Sequence, residues 1–399
     1  MSSFKSLGLI SSLLETIEKK GYVKATPIQE KSIPPLLEGR DVLGIAQTGT
    51  GKTAAFGLPI LNKLILNKKK TLPNHTRCLI LTPTRELAAQ IEENLKEYSK
   101  GLGLKTTTIY GGVNQRIQIK KLVKGMDIIV ATPGRLLDLM NGDHILLNQL
   151  ETFVLDEADR MLDMGFINDI KKIIYKLPRN RQTLMYSATM PSDIEKLSSK
   201  ILKNPLKVEV SQESSTVEKI NQVINFVEKE HKVNLLREIL KNKSIKQALV
   251  FTKTKHGANK VVKNLDTFYI KSAAIHGNKS QSARMKSLKS FKEGKIRVLV
   301  ATDIAARGID IKDITHVINY NLPEDPKNYV HRIGRTARAG KSGNSISFCE
   351  ISEKNLLENI EKSIKYKIPV DKTHKYHGIK SKNKSNKRSN TGKRQSSRT

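Results

Sequence analysis

The sequence predicts an α/β protein: two tandem domains with mostly parallel sheets, followed by a basic C-terminal tail without structure. Three observations carry that expectation. Short apolar runs alternate with helical patterns along almost the whole chain, as strands joined by crossover helices do. An internal echo recurs at one offset: LILT at 79–82 against LVFT at 249–252, and IVAT at 129–132 against LVAT at 299–302, both 170 residues apart. A fixed offset predicts duplicated topology. Residues 371–399 hold ten Lys/Arg, one Asp and almost nothing apolar, so they cannot bury a core and are expected to be disordered.

In chain order, strands are expected at 42–46, 78–82, 107–110, 127–131, 152–155 and 182–186, then at 248–252, 272–275, 297–301, 316–320 and 345–348. A helical pattern at 53–66 follows the first of them. Between its echo segments each half runs helix, strand, glycine turn, helix, the turns being Tyr110-Gly111-Gly112 and Ile275-His276-Gly277. Helical periodicity is lost in NPLKVEVSQESS at 204–215, which places the boundary there. The expected division is a first domain at 1–205, a linker at 206–216, a second domain at 217–370 and the tail at 371–399.

Composition narrows the partners. The 399 residues carry a formal net charge of +33, which favours polyanions, nucleic acid before an anionic membrane surface. Trp is absent and aromatics are 5%, so an aromatic platform is not expected to be the main binding mode. Cys78 and Cys349 sit in apolar runs and read as buried thiols rather than a disulfide or metal site. No run approaches a membrane span. The amphipathic, acid-containing N-terminus does not read as a signal peptide. A soluble, cytoplasmic protein is the expectation.

Two segments carry chemistry. AQTGTGKT at 46–53 lies between an apolar run and a helical pattern. That is the context of a phosphate-binding loop, whose backbone N–H groups and helix end cradle phosphates. Lys52 would reach the β and γ phosphates of a nucleotide and Thr53 would hold Mg²⁺. Ala46 stands where the general pattern has glycine. FVLDEAD at 153–159 puts Asp156 and Glu157 after a strand, where a metal-holding Asp and a carboxylate that activates water are found. Neither segment recurs 170 residues later: 216 onward reads TVEKINQV and 326 onward PKNY. Only the first domain is therefore expected to hold a nucleotide by itself.

These residues, with others in order, resemble the DEAD-box family of superfamily 2 RNA helicases over about 4–350. Phe4 and GYVKATPIQ at 21–29 look like its Q motif, with Ala25 where proline is usual. PTRELA at 83–88, Gly111-Gly112, TPGR at 132–135, DEAD at 156–159 and SAT at 187–189 follow. The second half supplies VFTKT at 250–254, QSAR at 281–284, ATDIAARGID at 301–310 and HRIGRTAR at 331–338. DEADRMLDMGF and the basic tail look like the bacterial RhlE-type subgroup.

The resemblance implies two tandem RecA-like domains and an RNA-dependent ATPase. Gln29 would bond the adenine edge, with Phe4 and Tyr22 near the base. Ala46, Gln47, Thr48, Gly49, Thr50, Gly51, Lys52 and Thr53 would hold phosphates and Mg²⁺. Asp156 would order the metal's water shell and Glu157 act as base. Asp159 would reach Ser187 and Thr189, linking nucleotide to RNA. Arg335 and Arg338, three apart and so on one face if helical, would be arginine fingers, with Gly308 and Asp310 at the ribose. A solvated face of Arg332, Arg335 and Arg338 is the competing reading. Implied RNA contacts are Thr84, Arg85, Gly111, Gly112, Thr132 and Arg135, then Gly277, Arg284, Thr302 and Asp303. Such residues suit phosphate and 2′-hydroxyl contacts that ignore sequence. An ATP-gated RNA clamp, a tail-driven RNA chaperone and a DNA translocase stay open as alternatives, and protein partners are unknown, with ribosome-assembly or RNA-decay complexes as candidates.

Overall fold

The computed structural model describes residues 2–47, 49–210, 220–306, 314–337 and 342–377. Among the described residues thirteen strands form: β1 Val42–Ile45, β2 Thr76–Leu81, β3 Thr106–Ile109, β4 Met126–Ala131, β5 Thr152–Leu155, β6 Gln182–Ser187, β7 Leu206–Glu209, β8 Ile220–Phe226, β9 Ala248–Phe251, β10 Ser272–Ile275, β11 Val298–Ala301, β12 His316–Asn319 and β13 Gly343–Cys349. The eleven expected strands all form, within two residues at each end. The two additional ones are β7 and β8.

The strands make two sheets, ordered β3-β4-β2-β5-β6-β1-β7 and β10-β11-β9-β12-β13-β8. Every named pairing is parallel. Matching β1–β6 to β8–β13 reproduces one order in both sheets, so the echo reported a duplicated topology. Both faces of each sheet are covered, as parallel sheets require. Alternate residues serve opposite layers. Ile80, Val154 and Leu184 join a core with Phe56 and Ile91, whereas Leu79, Phe153 and Met185 join another with Leu136 and Ile173. Both cysteines are buried thiols.

Three boundaries need correction. β7 pairs with β1, Val42 opposite Leu206, so residues 206–209 belong to the first sheet rather than to a linker. LKVE is too short and too exposed, on an edge, to show the apolar signature of a buried strand. Residues 211–219 lie outside the described set. At the far end, 371–377 pack on the second domain: the Asp371 amide donates to the Ile224 carbonyl at 2.9 Å, and Tyr376 stacks on His231 with centroids 5.4 Å apart. The tail expected from 371 thus begins no earlier than 378, and residues 378–399 lie outside the described set.

The third correction concerns the echo's offset at the phosphate loop. β1 ends at Ile45 and its helix starts at Lys52; β8 ends at Phe226 and its helix starts at Lys232. The local offset is therefore 180 or 181, not 170, and the counterpart segment is VEKEH at 227–231, again without glycine. Lys232 is 1% exposed and its ammonium lies 2.7 Å from Glu350 and 3.4 Å from Glu353. The first helical lysine of the second domain is thus neutralised internally, whereas its counterpart Lys52 in the first bonds the Ala46 carbonyl. Lys232→Ala should destabilise the second domain by about 3 kcal/mol, because it strands two carboxylates against the core. Urea unfolding of wild type and variant measures this; equal midpoints would mean that the pair contributes nothing.

Candidate active site

The phosphate loop is shaped by two left-handed residues, Gly49 and Gly51. Gly51 caps the helix Lys52–Leu66 with φ 96°. A Cβ there would meet the Gln29 amide at 2.4 Å, so glycine is required by both conformation and space. Gln29 is buried and ties the loop down: its Nε2 donates to the Gly51 carbonyl at 3.1 Å and its Oε1 accepts from the Thr26 amide at 2.9 Å. One donor and one lone pair remain for a base edge. Phe4 is buried in the core on the Tyr22 ring, centroids 6.1 Å apart. The loop's own bonds are Thr50 Oγ1 to the Gln47 carbonyl at 2.8 Å and the Ala46 amide to the Ser187 carbonyl at 3.0 Å. Lys52 is buried, with Nζ 2.9 Å from the Ala46 carbonyl. Thr53 is half-buried beside it. Thr48 lies outside the described residues.

Across the loop stand the two carboxylates that follow β5. Asp156 is buried, and its Oδ1 has no partner. Burial raises its pKa to about 6, against the pull of Lys52 and with the help of Glu157. A buried, unpartnered carboxylate oxygen facing a phosphate loop is what a hard divalent cation satisfies, so the donor set fits Mg²⁺. Glu157 is the opposite case. Burial pushes its carboxyl up, but Arg160, Lys52 and Arg335 outweigh this and hold it below its ordinary value. It caps the helix Ala158–Asp163 from a left-handed conformation, φ 56°, rare for a residue with a side chain. Its partner Arg160, which bonds it directly, was not anticipated from the sequence.

A network runs from here to the next strand. Asp159 Oδ2 accepts from the Thr189 amide and hydroxyl, both at 2.8 Å. The Asp159 amide donates to Ser187 Oγ at 3.2 Å, and that hydroxyl donates to the Thr189 carbonyl at 2.7 Å. SAT is therefore coupled to DEAD by three bonds, and the fourth ties SAT to itself.

The second domain reaches this site. Arg335 is buried and close enough to Glu157 to depress its pKa. It is not on a helix, however: the helix Pro326–Ile333 stops at its cap Gly334, so Arg335 lies past the helix on which a shared face was expected. A solvated arginine face is also ruled out for the described pair. Arg332 is buried and forks onto Asp303 at 2.6 and 2.7 Å, with further bonds to Asn319 and the Asn321 carbonyl. Arg338, Gly308 and Asp310 lie outside the described residues.

The residues expected to touch RNA gather at strand ends and helix starts. Thr84 caps the helix Arg85–Tyr98 through the Leu87 amide. The Arg85 guanidinium lies where a Cβ on Gly112 would be, 1.9 Å away, so a side chain at 112 would displace it. Thr132 precedes the helix Pro133–Asn141, and Arg135 on that helix bonds the Val113 carbonyl. Burial, then Arg284 and Arg135, lower the pKa of Arg85, so guanidiniums of both domains converge. Thr302 is half-buried after β11 and Gly277 is exposed after β10. Two expected contacts have protein partners instead: Asp303 is held by Arg332, and Arg284 Nε lies 3.0 Å from Glu86. Gln281 Nε2 donates to the same Glu86 oxygen at 2.9 Å. Glu86 and Gln281 were missed as site residues, although both lie within quoted motifs.

Glu86 is thus a buried clasp between domains. Glu86→Ala should weaken the closed arrangement, leaving Arg284 beside Arg85 uncompensated. A double-mutant cycle with Arg284→Ala, read as RNA-stimulated kcat/KM, should give a coupling of about 2 kcal/mol or more; additive effects would dismiss the clasp.

A phosphate loop, an acidic pair and an arginine from a second RecA-like domain define a two-domain nucleoside-triphosphate-driven motor of the helicase class. Comparison with known proteins agrees. Residues 26–197 match the DEAD/DEAH box helicase family and 231–340 the helicase conserved C-terminal domain. A Bacillus cereus DEAD-box ATP-dependent RNA helicase CshA is 44% identical over 92% of this chain and 69% of its own length, and one from Streptococcus pneumoniae is 45% identical over the same shares. Among solved structures, S. cerevisiae Dbp5 bound to RNA and ADP BeF3 superposes with TM-score 0.81 at 32% identity, covering 93% of this chain and 96% of that one. The chain belongs to the DEAD-box RNA helicase family and is an ATP-dependent RNA helicase. No helix of the described residues is long and apolar enough to cross a membrane.

Proposed function

We propose that the chain couples RNA-stimulated ATP hydrolysis to local, sequence-independent separation of RNA duplexes, and so remodels RNA or RNA–protein assemblies. The observation that carries this is that both domains meet at the site: Gln281 and Arg284 of the second hold Glu86 of the first, and Arg335 stands close enough to Glu157 to lower its pKa, and a site completed by both domains turns over only when they close. Gln29 selects adenine, Lys52 holds the phosphates, and Glu157, ionised at neutral pH, takes the proton of the attacking water. Arg335 supplies the finger, joined by Arg338, with Gly308 and Asp310 at the ribose. Mg²⁺, held by Thr53 and Asp156, would neutralise phosphate charge. Asp159, Ser187 and Thr189 relay closure to the RNA residues of both domains. These contacts carry no base readout, so closure strains the strand whatever its sequence.

The RhlE-type placement drawn from DEADRMLDMGF and the tail is not what the relatives' names carry, and a CshA-like placement is the one we propose. Residues from 378 onward would add electrostatic RNA affinity. A cytoplasmic location and partners in ribosome assembly or RNA decay belong to the same reading.

Steady-state ATP hydrolysis with and without single-stranded RNA, alongside separation of a short duplex, tests it. Strong stimulation with strand release is expected. Single turnover with RNA retained would replace the helicase by a clamp. One pH effect follows from Asp156. Its raised pKa means protonation competes with the cation, so apparent Mg²⁺ affinity should hold above pH 6 and fall about tenfold per unit below it. Flat affinity from pH 7 to 5 would exclude Asp156 as ligand.

A further inference from the structure

A second feature of the first domain lies at the far end of the helix Pro133–Asn141, whose start carries Thr132 and Arg135. There, between that helix, the loop after it and the helix Ile167–Tyr175, is a cavity of about 920 Å³. Its floor is apolar, Leu137, Met140 and Ile145, and Asn141 and Asn148 contribute exposed amides. Its rim is basic. Lys171, Lys172 and Lys176 are all exposed, and no ion pair is formed by them among the described residues. Asp143 is the lone carboxylate of the lining.

Among these lysines stands Tyr175, 87% exposed. Lys171 and Lys172 precede it by four and three residues, so they flank it on the helix surface. The helix C-terminus alone would account for cations there. It does not account for a bare aromatic ring among them, above a cavity with an apolar floor and amides at its edge. An exposed ring bordered by unpaired cations is how single strands are held without sequence preference: a base stacks and its phosphates are neutralised.

We infer that this cavity is an auxiliary site for single-stranded RNA, continuing the strand beyond Arg135. A base lies on Tyr175 with its edge towards Asn141 and Asn148, and its phosphates run along the lysine side, away from Asp143. The helix between the two sites spans roughly 13 Å, so a strand leaving the core reaches the cavity within a few nucleotides. The inference rests on the RNA-helicase reading of the cleft.

The test uses the full chain with a non-hydrolysable ATP analogue and two labelled oligouridylates, roughly 6 and 16 nucleotides long. Tyr175→Ala should weaken the longer strand roughly tenfold and leave the shorter unchanged, and Tyr175→Phe should restore it. Replacing Lys171, Lys172 and Lys176 by Ala should reduce the salt slope for the longer strand by about 2. These side chains are exposed, so the core is untouched. Wild-type affinities for both strands in all variants would overturn the assignment. So would loss of an acidic peptide, rather than RNA, from the same variants, which would make the cavity a protein-docking site. A wild type that binds neither strand overturns the helicase reading as well; one that binds the short strand but ignores the cavity overturns only this one.

Discussion

Arg335→Ala should lower RNA-stimulated kcat by about 10³-fold or more, within the 10³–10⁵ that an arginine finger contributes. The reason is positional. Arg335 follows the cap Gly334 of the second domain and is close enough to Glu157 of the first to lower its pKa. It is therefore absent from the site whenever the domains part. ATP affinity of the first domain, measured with a fluorescent analogue without RNA, should stay within a few-fold of wild type. That split, kcat lost and affinity kept, marks an interaction made in the transition state. Arg335→Lys should recover little, because an ammonium lacks the planar fork. If kcat fell less than tenfold, Arg335 would be a structural neighbour of Glu157 and no finger.

Glu157→Gln should lower kcat by about 10²–10⁴-fold, the usual contribution of a general base. The amide keeps the shape and can still meet Arg160, so folding and RNA binding should survive. In wild type, Arg160, Lys52 and Arg335 hold the Glu157 carboxyl below its ordinary value despite burial. The base is then already ionised across the neutral range, and kcat should be level there rather than rising with pH. An acid limb near pH 6 belongs to Asp156, whose pKa is raised to about 6, and it should shift with Mg²⁺ concentration. Rapid quench with RNA present measures the chemical step. Wild-type rates in the variant would move the role of base to another group.

The two rates also separate two kinds of defect. Loss of Glu157 removes proton transfer within one domain. Loss of Arg335 removes the contribution of the partner domain. Single-turnover rates should fall in both, whereas the domain closure detected by a distance probe should persist in Glu157→Gln.

Much of this was written in the chain. Eleven strands were legible because buried parallel strands are continuous apolar runs, and the phosphate loop because glycine-rich turns before helices are rare by chance. The duplicated topology followed from a fixed offset. The family resemblance supplied the network of Asp159, Ser187 and Thr189. β7 was not legible: an exposed edge strand, LKVE, carries no apolar signature, and its place beside β1 is set by pairing alone. Nor could the sequence show that the helix before Arg335 stops at Ile333, since helix ends depend on local capping and packing.

What the sequence determined by itself was the kind of chemistry: residue types at fixed spacing, on strands and loops whose local pattern dictates them. Tertiary structure alone decided who pairs with whom. Arg160 holds Glu157, Glu86 clasps Gln281 and Arg284 across the cleft, Arg332 forks onto Asp303, and Lys232 is neutralised by Glu350 and Glu353. Glu157 and Arg160 are a helical turn apart, but the other partners are far apart in the chain, Gln281 and Glu86 by 195 residues. A buried charge must find a counter-charge somewhere, but only the assembled fold fixes where.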